Sequence, residues 1–250
     1  MKIHLVALTT LTLFAPVSGF AQKSAPTRKV QASAEAVKIL DRYIQVTGGT
    51  AAYAKIKSTQ VEGQMKMEAV GMSGEFTMLT KEPNKFLMTQ KMANVGESRA
   101  GYDGKVGWSK DPLSGFRFLK GKELLDMQLQ SDLGATVKWD KLYKKIELKG
   151  KQTIAGSPAY KLVMTPKSGN NVTQYYDVAS GLLVRMDTLS QTPQGTFNIE
   201  MYFSDYTPID GVKTPYTVKM KMGTFDILMK IVSVKNNVSI PNSKFAPPKQ

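Results

Sequence analysis

Hydrophobic and polar residues alternate along most of the chain from residue 58 onward. Over 60–69 every odd position is apolar or glycine, and every even position is Gln, Glu or Lys. A period of two is typical of a β-strand with one buried face. Similar runs recur as far as 225–231, separated by turn sequences such as Asp210-Gly211. Short strands at this spacing predict a meandering antiparallel sheet or barrel.

Two other segments have the 3.6-residue period of an amphipathic helix. The first is expected to begin after Ser33, which can cap a helix N-terminus, and to end at Gly48-Gly49. The second covers 121–133, where leucines fall near one face, and a short helix is predicted over 135–144. A single long sheet must close on itself or have its apolar face covered. We therefore predict that the helix over 121–133 is a lid on the sheet.

The N-terminus has the three parts of an export signal, which leads us to predict a signal peptide over 1–21. Lys2 supplies the positive charge, 5–17 the apolar run, and small residues precede a cut after Ala21. The alternative is an uncleaved anchor, although the run is shorter than the roughly 20 residues that span a bilayer. The cleaved protein is expected to be soluble in the periplasm of a Gram-negative envelope.

The remaining chain is expected to form one β domain with short unstructured ends. Residues 22–32 are polar and contain a proline, so we predict a flexible leader. Residues 33–245 are predicted to be the single domain, and 246–250 a disordered tail. Prolines in the segment 241–250 predict a coil there.

The side chains that most enzymes use are largely missing from this sequence. The one histidine, His4, lies in the predicted signal, and there is no cysteine. This excludes Ser-His-Asp triads, cysteine nucleophiles and the usual zinc ligand sets from the mature chain. A pair of carboxylates could still act as acid and base. Candidates such as Glu62 and Asp103 fall on polar positions or in turns, which favours solvated surface acids. We predict no enzyme, no cofactor and no metal.

The chain is strongly basic, with 34 Lys and Arg against 20 Asp and Glu and a net charge of +14. Such a charge favours acidic partners. The lysines are scattered and no nucleic-acid-binding motif is present, so we predict no nucleic acid and favour an anionic membrane surface. The alternative is that the lysines keep a β-rich surface soluble and its edges unpaired.

Methionine is unusually frequent at the inward positions of the predicted strands. The cores of β-sheets usually contain valine and isoleucine at such positions. The chain has 14 methionines, and only Met1 lies in the predicted signal. Methionine is flexible and lines surfaces that accept apolar partners of varied shape. We predict an apolar cavity under the lid, the alternative being an ordinary packed core. The predicted lining residues are Val61, Met65, Met67, Phe76, Met78, Phe86, Met88, Trp108, Leu124, Leu125, Leu129, Met201, Met220, Met222 and Met229.

Several short motifs, in this order, resemble those of the LolA-like outer-membrane lipoprotein-sorting proteins, and the resemblance covers most of 33–245. They include a helix that ends in Gly-Gly, an Asp-Gly turn before a tryptophan strand, and a leucine-rich helix. The motifs are AVKILDRYIQVTGG at 36–49, YDGKVGWS at 102–109, GKELLDM at 121–127, AGSPAYKLVMTPKSG at 155–169, QYYDVASGLLVRMDT at 174–188 and DYTPIDGVKTPYTVKM at 205–220.

The resemblance implies a mainly β fold with few helices. It would be a single curved antiparallel sheet, an incomplete barrel, with an N-terminal helix and a helical lid over an apolar cavity. It also implies a periplasmic carrier of lipid acyl chains or a lipidated protein, which meets a membrane-bound donor or acceptor protein. The dedicated carriers hold the lid closed with a strand arginine. Arg99, Arg117 and Arg185 are the central arginines here, and no motif assigns that role to one of them. The alternative is a non-catalytic envelope interaction or sensor module that binds a partner protein.

Overall fold

A computed structural model of the chain describes residues 30–167, 170–192 and 195–249. The predicted signal peptide, residues 22–29 of the predicted leader and the last residue of the predicted tail lie outside these ranges. No helix within the described ranges is both long and apolar enough to cross a membrane.

The described residues form one sheet of fourteen strands. Its strands are β1 (Gln31–Ala32), β2 (Ser58–Met67), β3 (Met72–Lys81), β4 (Lys85–Met92), β5 (Gly96–Tyr102), β6 (Gly107–Asp111), β7 (Gly115–Phe118), β8 (Tyr143–Ile154), β9 (Ser157–Pro166), β10 (Val172–Asp177), β11 (Leu183–Thr192), β12 (Gly195–Ile209), β13 (Val212–Met222) and β14 (Phe225–Asn236). The order across the sheet is β1-β8-β9-β10-β11-β12-β13-β14-β2-β3-β4-β5-β6-β7. Within these residues the sheet stays open, with β1 and β7 as its edges.

The sheet consists of two antiparallel meanders, β2–β7 and β8–β14, joined where β14 pairs with β2. The exception is the short β1, which runs parallel to β8. Four α-helices are described: α1 (Ala34–Val46), α2 (Gly49–Lys55), α3 (Gly121–Gln130) and α4 (Trp139–Leu142). Single 3-10 turns occur at Glu68–Val70 and Asn242–Lys244. The mainly β fold with one curved, incomplete barrel and few helices is therefore confirmed.

The predicted alternation decides which side chains form the core. In β2, Met65 and Met67 are buried while the alternate residues Gln64 and Lys66 are exposed. Buried residues from β2, β3, β4, β12, β13 and β14 pack into one cluster on the concave side of the sheet. Methionine suits this place because its unbranched side chain fills irregular gaps between curved strands.

The first helix was predicted correctly at its start. The Ala36 amide donates a hydrogen bond of 3.2 Å to the Ser33 hydroxyl, which is the expected N-cap. A Cβ at Gly48, whose φ is +134°, would collide with the Gly211 carbonyl oxygen, so only glycine fits there. A second helix that was not predicted, α2, begins directly after this turn at Gly49.

The helix predicted over 135–144 is only one turn long, because α4 ends at Leu142 and β8 begins at Tyr143. A register shift between Tyr143 and Lys145 interrupts the pairing of β8 with β9. Because of this shift, the buried residues Tyr143 and Ile146 are three positions apart and do not follow a period of two. The strand was therefore not recognised in the sequence. The last two residues of the predicted leader form β1, which pairs with this strand.

Candidate functional site

Helix α3 spans the concave side of the sheet and contacts β5 and β6 on one side and β11 on the other. It divides the concave side into regions that we name by their helices. The α3 wing is the cluster of Phe86, Ala100, Tyr102, Leu119 and Met127. The α1 wing is the cluster of α1 with β8, β9 and β10. Between the wings lies the methionine-rich centre described above.

The α3 wing places the helix close to the sheet through apolar contacts. Met127 is fully buried, and Leu124 packs against the cluster. A Cβ at Gly107 would lie 2.8 Å from Leu124 Cδ1, so the glycine lets the helix approach β6 this closely. Met78 and Met88 of the neighbouring strands pack on the same cluster. This arrangement confirms that 121–130 forms a helix over the inward methionines of the sheet.

An ion pair fixes the first turn of α3 to the edge strand β7. Arg117 Nη1 lies 2.6 Å from Glu123 Oε2, and Arg117 Nη2 lies 2.7 Å from Glu123 Oε1. Both side chains are partly buried, and the geometry is bidentate, which is the strong form of this pair. The pair raises the pKa of Arg117 through its hydrogen bonds to Glu123. The lid helix is therefore tied to the sheet by a contact that can break without unfolding the core.

A buried acid lies on the same helix. Asp126 is 2% exposed, and its Oδ1 has no hydrogen-bond partner among the described residues. Burial, assisted by the nearby charge of Glu123, raises the pKa of Asp126 to about 8. At neutral pH the carboxyl group is therefore mainly protonated and carries no charge. Helix α3 thus carries two acids in different surroundings: Glu123 is paired with Arg117, whereas Asp126 is buried and neutral.

The α1 wing is packed with apolar side chains. Ala36, Ile39 and Leu40 are buried against strand residues that include Leu162 and Met164. On the other side of the helix, Arg42 donates hydrogen bonds to the carbonyl oxygens of Val178 (3.0 Å) and Ala179 (2.6 Å). Helix α1 is therefore held at its cap, along its apolar face and along its polar face.

A cavity of about 240 Å³ lies between the two wings, under α1, the end of α3 and α4. Its walls are mainly apolar and aromatic. They are formed by Leu40, Tyr43, Leu129, Gln130, Asp132, Ala135, Thr136, Trp139, Leu142, Tyr143, Met164, Gln174, Tyr176 and Leu183. The volume is just below the range of roughly 300–1,000 Å³ for small-molecule sites. A cavity of this volume has room for a short apolar segment only.

Tyrosine rings form one wall of this cavity. Tyr43 and Tyr176 meet edge to face, with ring centroids 5.3 Å apart. Burial raises the pKa of both phenols well above the ordinary value, so they stay neutral. The Tyr176 hydroxyl donates to Gln174 Oε1 at 2.5 Å, which satisfies its polar end. The rings therefore present apolar surface to the cavity.

A larger recess of about 630 Å³ lies at the ends of β2–β5. Four charged residues, Lys66, Glu75, Lys91 and Glu97, contribute to its lining, and it is the more open of the two to solvent. The smaller cavity is more enclosed and has aromatic walls, so it is the better candidate site. The described residues contain no group of three or more carboxylates that could hold a metal ion.

Comparison with solved structures gives the fold a name. A DUF1329 family protein from Desulfovibrio piger matches with a TM-score of 0.56 and 15% identity, covering 84% of this chain and 97% of that one. A LolA superfamily protein from Nitrosomonas europaea matches at 0.54 and 14%, covering 85% and 97%. This is the LolA fold. A domain of an outer membrane lipoprotein-sorting protein from Vibrio parahaemolyticus also matches, at 0.53 and 12%, covering 84% and 97%.

These likenesses establish the LolA fold and leave the ligand open, because the identities are low. No protein-family model matches the sequence, and no curated protein sequence is significantly similar to it. The resemblance drawn from the short motifs is confirmed at the level of the fold.

Most of the residues predicted to line a cavity come together on the concave side of the LolA fold, but in its packed parts. The centre contains Val61, Met65, Met67, Phe76, Met201, Met220 and Met222, with Met229 packed against them. Phe86 belongs to the α3 wing with Leu124, while Met78 and Met88 pack on both clusters. Leu125 is half-buried on α3. Of this set, Leu129 lines the 240 Å³ cavity. Contact of these residues with a ligand stays a prediction.

Trp108 lies on the opposite side of the sheet. Its neighbour Gly107 faces Leu124 of α3, so the alternation of the strand turns Trp108 away from the lid. There it packs in a cluster with Leu87, and its Nε1 donates a hydrogen bond of 2.9 Å to the Phe245 carbonyl oxygen. Phe245, from the stretch read as a C-terminal coil, is fully buried against it.

Several cavity residues were missed in the sequence analysis. Trp139 and Tyr143 lie in the segment that was predicted as a plain helix. Tyr176 lies in a motif that was used only to identify the family. Tyr43 packs with the apolar face of α1, whose helical period is visible in the sequence. That period was the available signal, because an apolar helix face must cover other residues.

Proposed function

We propose that this protein binds the acyl chain of a lipid or of a lipidated protein and carries it through the periplasm, between membranes or to the outer membrane. The observation that carries the proposal is the apolar cavity between α1 and α3, beneath a helix that bridges both wings. The similarity of the fold to an outer membrane lipoprotein-sorting domain supports it. The predicted signal peptide supports the location.

The energetics favour binding without covalent chemistry. Each buried methylene contributes about 0.8 kcal/mol, so a chain segment of a few carbons in the cavity already gives useful affinity. A longer chain needs more apolar surface, and the methionines of the centre provide it on the same concave side of the sheet. Because methionine side chains adapt their shape, the centre can open around a chain at moderate cost.

Entry of a chain requires α3 to move, and the contacts of α3 suit that movement. The helix buries only Asp126 and Met127, and its first turn is held by the Arg117–Glu123 pair. Breaking a partly exposed ion pair costs less than removing an apolar helix face from its core. We expect α3 to open while α1 stays in place.

The proposal is tested with the mature chain, residues 22–250. Native mass spectrometry of protein purified from its own host should show bound lipid, and a fluorescent long-chain fatty acid should bind the delipidated protein. In the variant Leu129→Trp the indole would displace about two methylenes, which lowers the affinity roughly tenfold. Val232→Trp is the matched control, because Val232 is 66% exposed on β14. Absence of lipid from the native protein together with no uptake of the probe would refute the carrier.

A protein-binding module is the second candidate function, and the edge strand β7 favours it. Phe118 on this strand is 50% exposed, and Leu113 in the preceding turn is 55% exposed. An exposed edge with apolar side chains can pair with a strand of a partner. Phe118→Asp should abolish partner binding and leave fatty-acid uptake intact, whereas Leu129→Trp should do the reverse.

A further inference from the structure

The positive charge of the chain is concentrated beside the cavity. Residues 138–167 contain eight lysines and two acids, a net charge of +6 within 30 residues. The whole chain carries +14. This segment includes α4 and β8, which supply Trp139, Leu142 and Tyr143 to the cavity wall. The most basic part of the protein is therefore also one wall of its apolar site.

Three exposed lysines lie next to this wall. Lys141 directly precedes Leu142, and Lys144 directly follows Tyr143. Lys167 is brought to the same place by its backbone amide, which donates to the Leu142 carbonyl oxygen at 2.9 Å. Trp139 and Leu142 are only half-buried, so the wall they form reaches the surface close to the backbone of these lysines.

These three lysines also lack internal counter-ions. Nearby, Lys138 pairs with Asp132 at 3.0 Å and Lys145 pairs with Glu147 at 3.1 Å. Within the described ranges, Lys141, Lys144 and Lys167 make no such pair with a carboxylate. Asp140, an exposed acid next to Lys141, likewise makes no ion pair within these ranges, so the charge at this rim is net positive.

Protection of a sheet edge explains only some of the basic residues. Beyond Ile146, β8 has no partner on its outer side among the described residues, so Lys149 and Lys151 can serve to keep that edge unpaired. Lys141 lies on a helix, and Lys167 follows β9, which is an interior strand. These positions protect no edge, so their charge needs another explanation.

We infer that the ligand of the cavity is a phospholipid with an anionic headgroup. Its acyl chain would lie against Trp139, Leu142 and the tyrosine wall, and its phosphate beside Lys141, Lys144 and Lys167. Lysine binds phosphate as a point charge, and tryptophan favours the boundary between apolar and polar surroundings. This inference rests on the proposed carrier function and adds the class of lipid.

The test compares two lipids with identical acyl chains. Delipidated mature protein is incubated with vesicles of dioleoyl-phosphatidylcholine mixed in equal parts with dioleoyl-phosphatidylglycerol. The soluble protein is then separated by gel filtration, and its lipid is identified by mass spectrometry. We expect the anionic lipid to be extracted roughly tenfold over the zwitterionic one at low salt, with the preference shrinking as salt is raised.

A charge-matched pair of variants locates the preference. The triple variant Lys141→Gln, Lys144→Gln and Lys167→Gln should extract both lipids equally. The control replaces the same number of exposed lysines on β13 and β14, with Lys219→Gln, Lys221→Gln and Lys230→Gln, and should keep the preference. Fluorescent fatty-acid uptake is measured for all three proteins. It should persist but weaken in the triple variant, because the fatty acid carries a carboxylate of its own, and it should be unchanged in the control.

The outcomes separate the two proposals. Equal extraction of both lipids by the unmodified protein, or equal loss of preference in both variants, overturns the headgroup inference while the carrier stands. Vesicle binding that depends on the three lysines, without extraction of lipid, also overturns it, because the charge then serves docking to a membrane. Failure to take up either lipid and the fatty acid refutes the carrier itself.

Discussion

The two wings of the concave side differ in the residues that hold their helix on the sheet. Both use a helix to cover inward strand residues, but α1 buries Ala36, Ile39, Leu40 and Ile44, all of them apolar. Helix α3 buries only two residues, Met127 and an acid. Because α1 buries four apolar side chains and α3 buries only one, Met127, we expect α3 to leave the sheet more readily than α1. The comparison indicates one fixed wall and one releasable wall around the same cavity.

The largest expected difference between the wings is in stability. Leu40→Ala on α1 removes a side chain that is 3% exposed and should lower the free energy of unfolding by about 3 kcal/mol. Leu124→Ala on α3 removes a half-buried side chain and should cost about 1 kcal/mol. Urea unfolding followed by far-UV circular dichroism measures both. Equal costs would show that the wings are equally fixed.

The second difference is the response to pH, which comes from Asp126. The pKa of this group is 3.8 in an unperturbed chain and about 8 in the folded protein. Between these values the folded protein holds a proton that the unfolded chain has released, so stability falls as pH rises from about 4 to about 8. Asp126→Asn cannot ionise, and should be more stable than the unmodified protein by roughly 2 kcal/mol at pH 8.

The check for Asp126 is the difference in melting temperature between the two proteins at several pH values. The gain from Asp126→Asn should be near zero at pH 4 and grow toward pH 8. Asp140→Asn is the control, because Asp140 is an exposed acid on α4. A gain of the same size at every pH would contradict ionisation of Asp126 as the cause.

The third test breaks the ion pair that holds α3. Arg117→Gln removes the bidentate contact with Glu123 and should cost about 1–2 kcal/mol, because the pair is only partly buried. It should also speed the exchange of bound fatty acid, measured by stopped-flow fluorescence. Arg99→Gln is the matched control, since its pair with Glu97 is more exposed. If both variants exchange ligand at the unmodified rate, Arg117 does not restrain the lid.

The strands and α1 could be predicted from the sequence because each follows a single period over many residues. Features that depend on a break in the period were missed. Strand β8 was hidden by its register shift after Tyr143, and α2 by the glycines at its start, Gly48 and Gly49. The cavity could not be located from the sequence. Alternation shows which side chains face inward, but the curvature of the sheet decides where those side chains leave space between them.

The C-terminal segment shows a second limit of sequence patterns. Its prolines predicted a coil, and it does lack regular structure, yet Ile240 and Phe245 are buried. Lys81 Nζ donates to the Ile240 carbonyl oxygen at 2.7 Å, and Trp108 donates to that of Phe245. Packing of an irregular segment leaves no periodic signal, so Trp108 was assigned to the wrong side of the sheet.

The smallest expected effect concerns the cap that fixes the start of α1. Ser33→Ala removes the acceptor of the Ala36 amide and should cost about 1 kcal/mol, because that donor then lacks its side-chain partner. Amide hydrogen exchange should become faster in the first turn and remain unchanged near Leu40, where apolar burial holds the helix. Ser180→Ala, at an exposed turn, is the control. If exchange accelerates along the whole of α1, the cap and not the apolar face holds this wall, and the contrast with α3 is smaller than the packing indicates.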